Sequence, residues 1–84
     1  MEIKKVVVIG SGTMGSGIAA HLCNANIPVT LLDLKTEISE KARDRIHKSK
    51  PPLLLDKSKI NNIKVGNISD NFSEIKEADW VVEA

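Results

Sequence analysis

The chain has 84 residues, 42% of them hydrophobic and 27% charged, with a formal net charge of +1 at pH 7. That balance suits one small globular domain and not a disordered segment, and the near-neutral charge, with no aromatic residues interleaved among the basic ones, argues against nucleic acid as a partner. A membrane span needs about 20 apolar residues, far more than the run Val6 to Ile9, and a single cysteine, Cys23, excludes an internal disulfide and a cysteine metal cluster.

A domain of this size buries about 60–65% of its unfolded surface, so its stability margin is thin. Phe72 and Trp80 are the only aromatic residues, so the core is expected to be aliphatic. The start, Met1-Glu2-Ile3-Lys4-Lys5, lacks the apolar stretch and cleavage site of a secretory signal, which makes a reducing cytoplasm the expected compartment. The tripeptides beginning at Asn67 and Asn71 then read as turn formers rather than glycosylation acceptors.

Lys5 to Ile9 predicts a strand. Val6, Val7, Val8 and Ile9 are consecutive and β-branched, as in a strand covered on both faces within a parallel sheet. Thr13 to Ala25 predicts a helix, with Met14, Ile18, Leu22 and Ala25 on one apolar face. Asn24 and Asn26 close it, because Asn tolerates the left-handed backbone past a helix end, and Pro28 cannot continue it. Val29 to Asp33 is the second strand.

Thr36 to Ser49 predicts the second helix, with an apolar stripe of Ile38, Ala42 and Ile46. Glu37 and Glu40 near its start and Lys48 and Lys50 at its end complement the helix dipole, and Pro51-Pro52 stops it. Leu53 to Leu55 fits either a helical turn or a packed loop. Ile63 to Val65 is a short third strand ending at Gly66. Ser73 to Glu77 suits a short helix capped by Ser73, and Asp79 to Ala84 forms the fourth strand. Strands alternating with helices imply an α/β fold: a Rossmann-type, doubly wound parallel sheet, truncated, with strand order 3-2-1-4.

Gly10-Ser11-Gly12-Thr13-Met14-Gly15 falls between the buried strand and the first helix. In that context the G-x-G-x-x-G spacing has a physical meaning. Gly10 permits the tight turn, Gly12 lets the backbone approach a pyrophosphate, and Gly15 lets the helix pack close to the strand. The helix N-terminus offers unpaired N–H groups to the phosphates. Asp33 ends the second strand about 20 residues further on, where an acid accepts hydrogen bonds from ribose hydroxyls and repels a 2′-phosphate. The expected cofactor is therefore NAD rather than NADP, a preference that Lys35 weakens slightly. The expected cofactor-binding residues are Gly10, Ser11, Gly12, Thr13, Met14, Gly15 and Asp33.

Val6 to Ala19 and Val29 to Asp33 resemble the opening of the 3-hydroxyacyl-CoA dehydrogenases. Lys48 to Pro52, Gly66-Asn67 and Glu77 to Ala84 resemble the larger bacterial members, which often carry a fused enoyl-CoA hydratase module. The resemblance covers essentially the whole chain. It implies NAD-dependent oxidation of L-3-hydroxyacyl-CoA to 3-ketoacyl-CoA in fatty acid β-oxidation, with a His–Glu pair acting on the substrate hydroxyl.

In the family that pair, a further cofactor-contacting Glu and Lys, a Ser and an Asn near the nicotinamide, and a helical substrate domain all follow the stretch seen here. The resemblance therefore implies that residues 1–84 are a partial NAD-binding domain without catalytic residues of their own. A complementing chain would carry the rest of the enzyme. The alternative is a non-catalytic NAD-binding module or the remnant of a split gene.

His21, His47 and Cys23 match no catalytic position of the family and read as surface imidazoles and a packing thiol. Lys41, Arg43, Arg45, Lys48 and Lys50 make the second helix basic. They read either as a surface toward CoA phosphates or as a solvated face paired with Glu37, Glu40 and Asp44.

Overall fold

The computed structural model describes residues 3–50 and 52–84. Four parallel strands, β1 (Val6–Ile9), β2 (Val29–Asp33), β3 (Ile63–Asn67) and β4 (Trp80–Glu83), form one sheet in the order β3-β2-β1-β4. Helices α1 (Thr13–Asn24), α2 (Thr36–Lys48) and α3 (Phe72–Glu77) fill the three crossovers, and a 3-10 helix, Lys57–Asn62, precedes β3. The doubly wound topology and strand order match the sequence-based expectation.

The unbroken valine run of β1 is explained by its neighbours. Val6 and Val8 join Val29, Leu31, Ala19, Leu22, Ala42, Ile46 and Ile63 in the core beneath α1 and α2. Val7 points to the other face of the sheet and is also fully buried. Lys64 of β3 pairs with Glu74 of α3, which places α3 on that second face. Sequential strands running outward from β1 to β3 and then jumping back to β4 put their right-handed crossovers on opposite faces.

Helix α1 buries only part of the stripe its apolar residues suggest, with Leu22 in the core and Ile18 packed against it. Gly15, Ser16, Ala19, Ala20, Leu22 and Cys23 face inward, while Met14 is 70% exposed and Ala25 lies past the helix end. Small residues let α1 lie close against the sheet, so bulk was the wrong guide to its inner face. Its C-terminus closes as expected for Asn: Asn26 adopts φ +63°, its N–H donates to the Cys23 carbonyl, and the Ile27 N–H donates to the Leu22 carbonyl.

In α2 the buried stripe is Ser39, Ala42 and Ile46, with Ile38 left 41% exposed. Ser39 is fully buried because its hydroxyl, with one proton to donate, lies within hydrogen-bond distance of the carbonyls of Gly66 (2.7 Å) and Thr36 (2.9 Å). A satisfied hydroxyl can occupy a core position, which apolar counting does not detect. Pro51, expected to help stop α2, lies outside the described residues.

The segment after α2 is a packed loop in which Leu54 alone of the three leucines is buried. Strand β3 runs two residues beyond Val65. Helix α3 starts at Phe72, and Ser73 does not cap it. Asn71 holds the N-cap position, its side chain accepting from the Asn67 N–H and donating to Glu74. Asn67 in turn accepts from the Asp70 N–H, so both Asn-x-Ser tripeptides build a turn. Strand β4 is shorter than expected because Asp79 bonds instead to the backbone N–H groups of Lys4 and Lys5.

No helix among the described residues is long and apolar enough to cross a membrane. No cluster of three or more potential metal ligands occurs among them.

The leucine assignments are open to direct test. Leu54→Ala is expected to lower unfolding stability by about 2–4 kcal/mol, and Leu55→Ala to change it by less than about 0.5 kcal/mol. Urea midpoints followed by circular dichroism read both, and equal losses would contradict the packing described.

Candidate cofactor site

The site forms where the carboxyl ends of β1, β2 and β4 meet, at the point where strand order reverses. Gly10 leaves β1 with φ +101°, a conformation that L side chains rarely adopt, while its N–H donates to the Leu32 carbonyl at 2.8 Å. Beside it the Ala84 N–H donates to the Ile9 carbonyl at 2.9 Å, which brings the end of β4 to the switch point.

The three glycines of the loop have separable tasks. A Cβ on Gly15 would lie 1.7 Å from the Gly10 carbonyl oxygen, so α1 can start here only if residue 15 has no side chain. A Cβ on Gly12 would meet nothing within 4 Å among the described residues. Packing and conformation do not demand glycine at position 12, and the space over it is open. The first turn of α1 has no side-chain cap and no acidic residue, so its leading N–H groups retain their positive character.

The structure brings all seven expected residues to this end of the sheet but divides their roles. Gly12, Thr13 and Met14 are exposed along the rim. Gly15 and Ser11 are buried, and Ser11 is only 1% exposed. Every polar atom of Ser11 is engaged within the chain. Its N–H and its hydroxyl both donate to Asp33 Oδ2, at 2.8 and 2.6 Å. Its carbonyl accepts from Ser16 Oγ and from Arg45 Nη2, each at 3.0 Å.

Asp33 also accepts from the Leu34 N–H through Oδ1 at 2.7 Å. The Ser11 hydroxyl, ahead of the opposing effect of burial and together with the two backbone N–H groups, holds its carboxyl below the usual carboxylate range. The acid is therefore fully ionised at neutral pH.

Sequence reasoning missed two supports of the loop and one surface beside it. Arg45 was read as part of a basic helix face, yet it reaches back to the Ser11 carbonyl. Arg43 likewise donates to the carbonyls of Ile63 and Ile60. Neither arginine pairs with Glu37, Glu40 or Asp44 among the described residues, so the ion-paired face expected for α2 is not formed by them. Ser16 carried no sequence signal beyond being small.

Leu34, 78% exposed directly after the acid, leaves an apolar surface at the site. Its signal was present, since a strand-end acid followed by a large apolar residue is an unusual place for exposure. His21 and His47 are exposed, and His21 lies about 12 Å along α1 from its start. Cys23 is buried, its thiol donating to the Lys59 carbonyl, and burial pushes its pKa up. Two described cavities, of 460 and 270 Å³, lie elsewhere: the larger at the amino ends of the strands beside Lys5, Thr30 and Lys64, the smaller between Glu40, Asp44 and Val65. The glycine loop lines neither of these two.

A parallel sheet with this order, a glycine turn into an uncapped helix and an ionised acid on the neighbouring strand define a dinucleotide-binding α/β domain. The chain belongs to the family described as the NAD binding domain of 3-hydroxyacyl-CoA dehydrogenase, which matches residues 5–84.

Among curated relatives, it is 41% identical over 91 residues to a Deinococcus radiodurans protein named "Probable 3-hydroxyacyl-CoA dehydrogenase", covering 100% of this chain and 26% of that protein. It is 44% identical over 89 residues to a Rickettsia felis protein named as a fatty acid oxidation complex trifunctional enzyme, covering 98% of this chain and 12% of that one. Among solved structures, 3-hydroxybutyryl-CoA dehydrogenase from Escherichia coli superposes with a TM-score of 0.77 at 28% identity, over 99% of this chain and 19% of that one. The chain thus spans about a quarter or less of the length of these relatives.

The Asp33 latch makes a pH-dependent contribution to stability. Its folded pKa lies below the ordinary value of 3.8, so the contribution is complete above that value and is lost as pH falls through the folded pKa. Asp33→Asn is expected to cost about 2 kcal/mol at neutral pH. The gap from wild type, read as urea midpoints, should stay constant down to about pH 5 and narrow below 3.8. A gap that widens in acid would contradict the latch.

Proposed function

We propose that this chain binds NAD through the groove between Gly12 and Asp33, as the cofactor-holding part of a 3-hydroxyacyl-CoA dehydrogenase. The observation that carries the reading is Gly12: among the described residues nothing occupies the space a side chain there would fill, beside a helix start whose N–H groups are uncapped. A pyrophosphate suits that space and those donors. The ionised Asp33 carboxylate accepts from a ribose and repels a 2′-phosphate, favouring NAD over NADP. The exposed Leu34 and Met14 side chains offer apolar surface to the adenine.

Bound NAD would accept the hydride from C3 of an L-3-hydroxyacyl-CoA. This chain's residues bind and orient, and we assign none of them to the proton transfer. His21 and His47 stand exposed on helix surfaces. We propose that the base comes from a complementing polypeptide segment, such as the much longer relatives contain. The 84-residue chain alone is accordingly expected to bind NAD without oxidising a 3-hydroxyacyl-CoA, and sustained NADH formation by it would contradict that assignment.

Trp80 is a poor reporter of binding. It pairs with Val6 at the far end of β4, about 10 Å of strand from Glu83. Amide chemical shifts of Ser11 to Gly15 read the site directly. Saturable shifts on NAD addition are expected, and Gly12→Ala should weaken binding tenfold or more with the urea midpoint unchanged. Absence of any saturable shift in the folded wild type would sink the reading.

A further inference from the structure

Ser11 stands second in the glycine loop, where a residue is expected to face the phosphates. Its surroundings give it a different task. Its N–H and hydroxyl are both spent on Asp33 Oδ2, its carbonyl is held by Ser16 and Arg45, and it is almost wholly buried. No donor of Ser11 remains for a ligand.

The same bonds limit Asp33. A carboxylate offers about four lone-pair positions, two on each oxygen. Oδ2 has both filled by Ser11, and Oδ1 has one filled by the Leu34 N–H. One position is left, on Oδ1. We propose that Ser11 is a positioning residue that acts through Asp33: it pins Oδ2 inward so that the acid accepts a single hydroxyl of the adenosine ribose, not the 2′ and 3′ hydroxyls together.

This proposal rests on the NAD-binding reading and adds a selectivity to it. With the Ser11 hydroxyl removed, each carboxylate oxygen keeps one backbone bond. One acceptor position is then open on each oxygen, so the group can accept from both ribose hydroxyls. Discrimination between the two hydroxyls follows from the pin, whereas general support of the fold would leave it untouched.

The experiment titrates the folded chain with NAD and with its 2′-deoxy and 3′-deoxy analogues, each modified on the adenosine ribose, by amide chemical shifts. In the wild type, one analogue is expected to lose about tenfold in affinity, as fits one lost hydrogen bond to a charged group. The other should stay within about twofold of NAD. In Ser11→Ala, with folding checked by circular dichroism, the tolerated analogue should lose severalfold and the contrast should shrink.

Equal losses for both analogues in the wild type would overturn the proposal while leaving NAD binding intact. So would an unchanged contrast in Ser11→Ala. Because the wild-type comparison needs no substitution, it decides the matter even if Ser11→Ala fails to fold. No saturable binding of NAD itself would overturn the functional reading, and this inference with it.

Discussion

The approach of Gly15 to the Gly10 carbonyl is the contact on which the rest of the site depends. It sets the distance between α1 and the end of β1, and the absence of a side chain at residue 15 is what allows that distance. Once the helix starts there, Ser16, one residue further, is brought within reach of the Ser11 carbonyl, and the Ser16 N–H closes on the Gly12 carbonyl at 2.9 Å. The small residues Ala19, Ala20 and Cys23 continue the close packing down the helix. The loop is therefore held from below by packing and from the sides by hydrogen bonds. Few of its backbone groups are left to be ordered by a ligand, which lowers the entropic cost of binding one.

The sides of the loop are held by parts of the chain distant in sequence. Asp33 arrives on β2, which pairs with β1 residue by residue from Val6 with Val29 to Ile9 with Leu32. That register places the end of β2 beside the start of the loop, and the Gly10 N–H confirms it by bonding to the Leu32 carbonyl. Arg45 arrives on α2, which Ser39 ties to β3 by bonding to the Gly66 carbonyl. The cofactor loop thus reports on the positions of β2, α2 and β3 together, and a change in any one of them reaches Ser11.

Fold class and strand order were legible because they rest on local patterns, an unbroken β-branched run and strands alternating with helices, and the seven loop and acid residues were legible as a cluster at one end of the sheet. The errors share one physical cause. Met14 and Ile38 were placed inside because they are large and apolar, whereas the faces that pack are set by how closely a helix can approach. Small Gly15 and hydrogen-bonded Ser39 satisfy that requirement better. Ser73 looked like a cap, but the cap position depends on the turn built by Asn67 and Asn71, which involves β3. Arg45 was invisible as a loop support because its partner lies 34 residues away. Spacing reveals what neighbours along the chain can do; tertiary hydrogen bonds from long side chains leave no such trace.

The glycine fingerprint itself divides along the same line. Gly10 and Gly15 are required by this chain's own geometry, one by its backbone angle and one by a carbonyl that leaves no room. They would be needed in any tight strand-to-helix turn, with or without a cofactor. Gly12 is different, because removing the chain's own demands leaves the position without a structural reason. Uncapped N–H groups at the start of α1, with open space above Gly12, add nothing to the stability of a small domain. The proposed ligand, with phosphate at one point and a hydroxyl at another, would account for the open space, the free donors and the Asp33 carboxylate together. Within the fingerprint, Gly12 is the glycine that the fold does not need, and the case for a ligand rests on it more than on the motif as a whole.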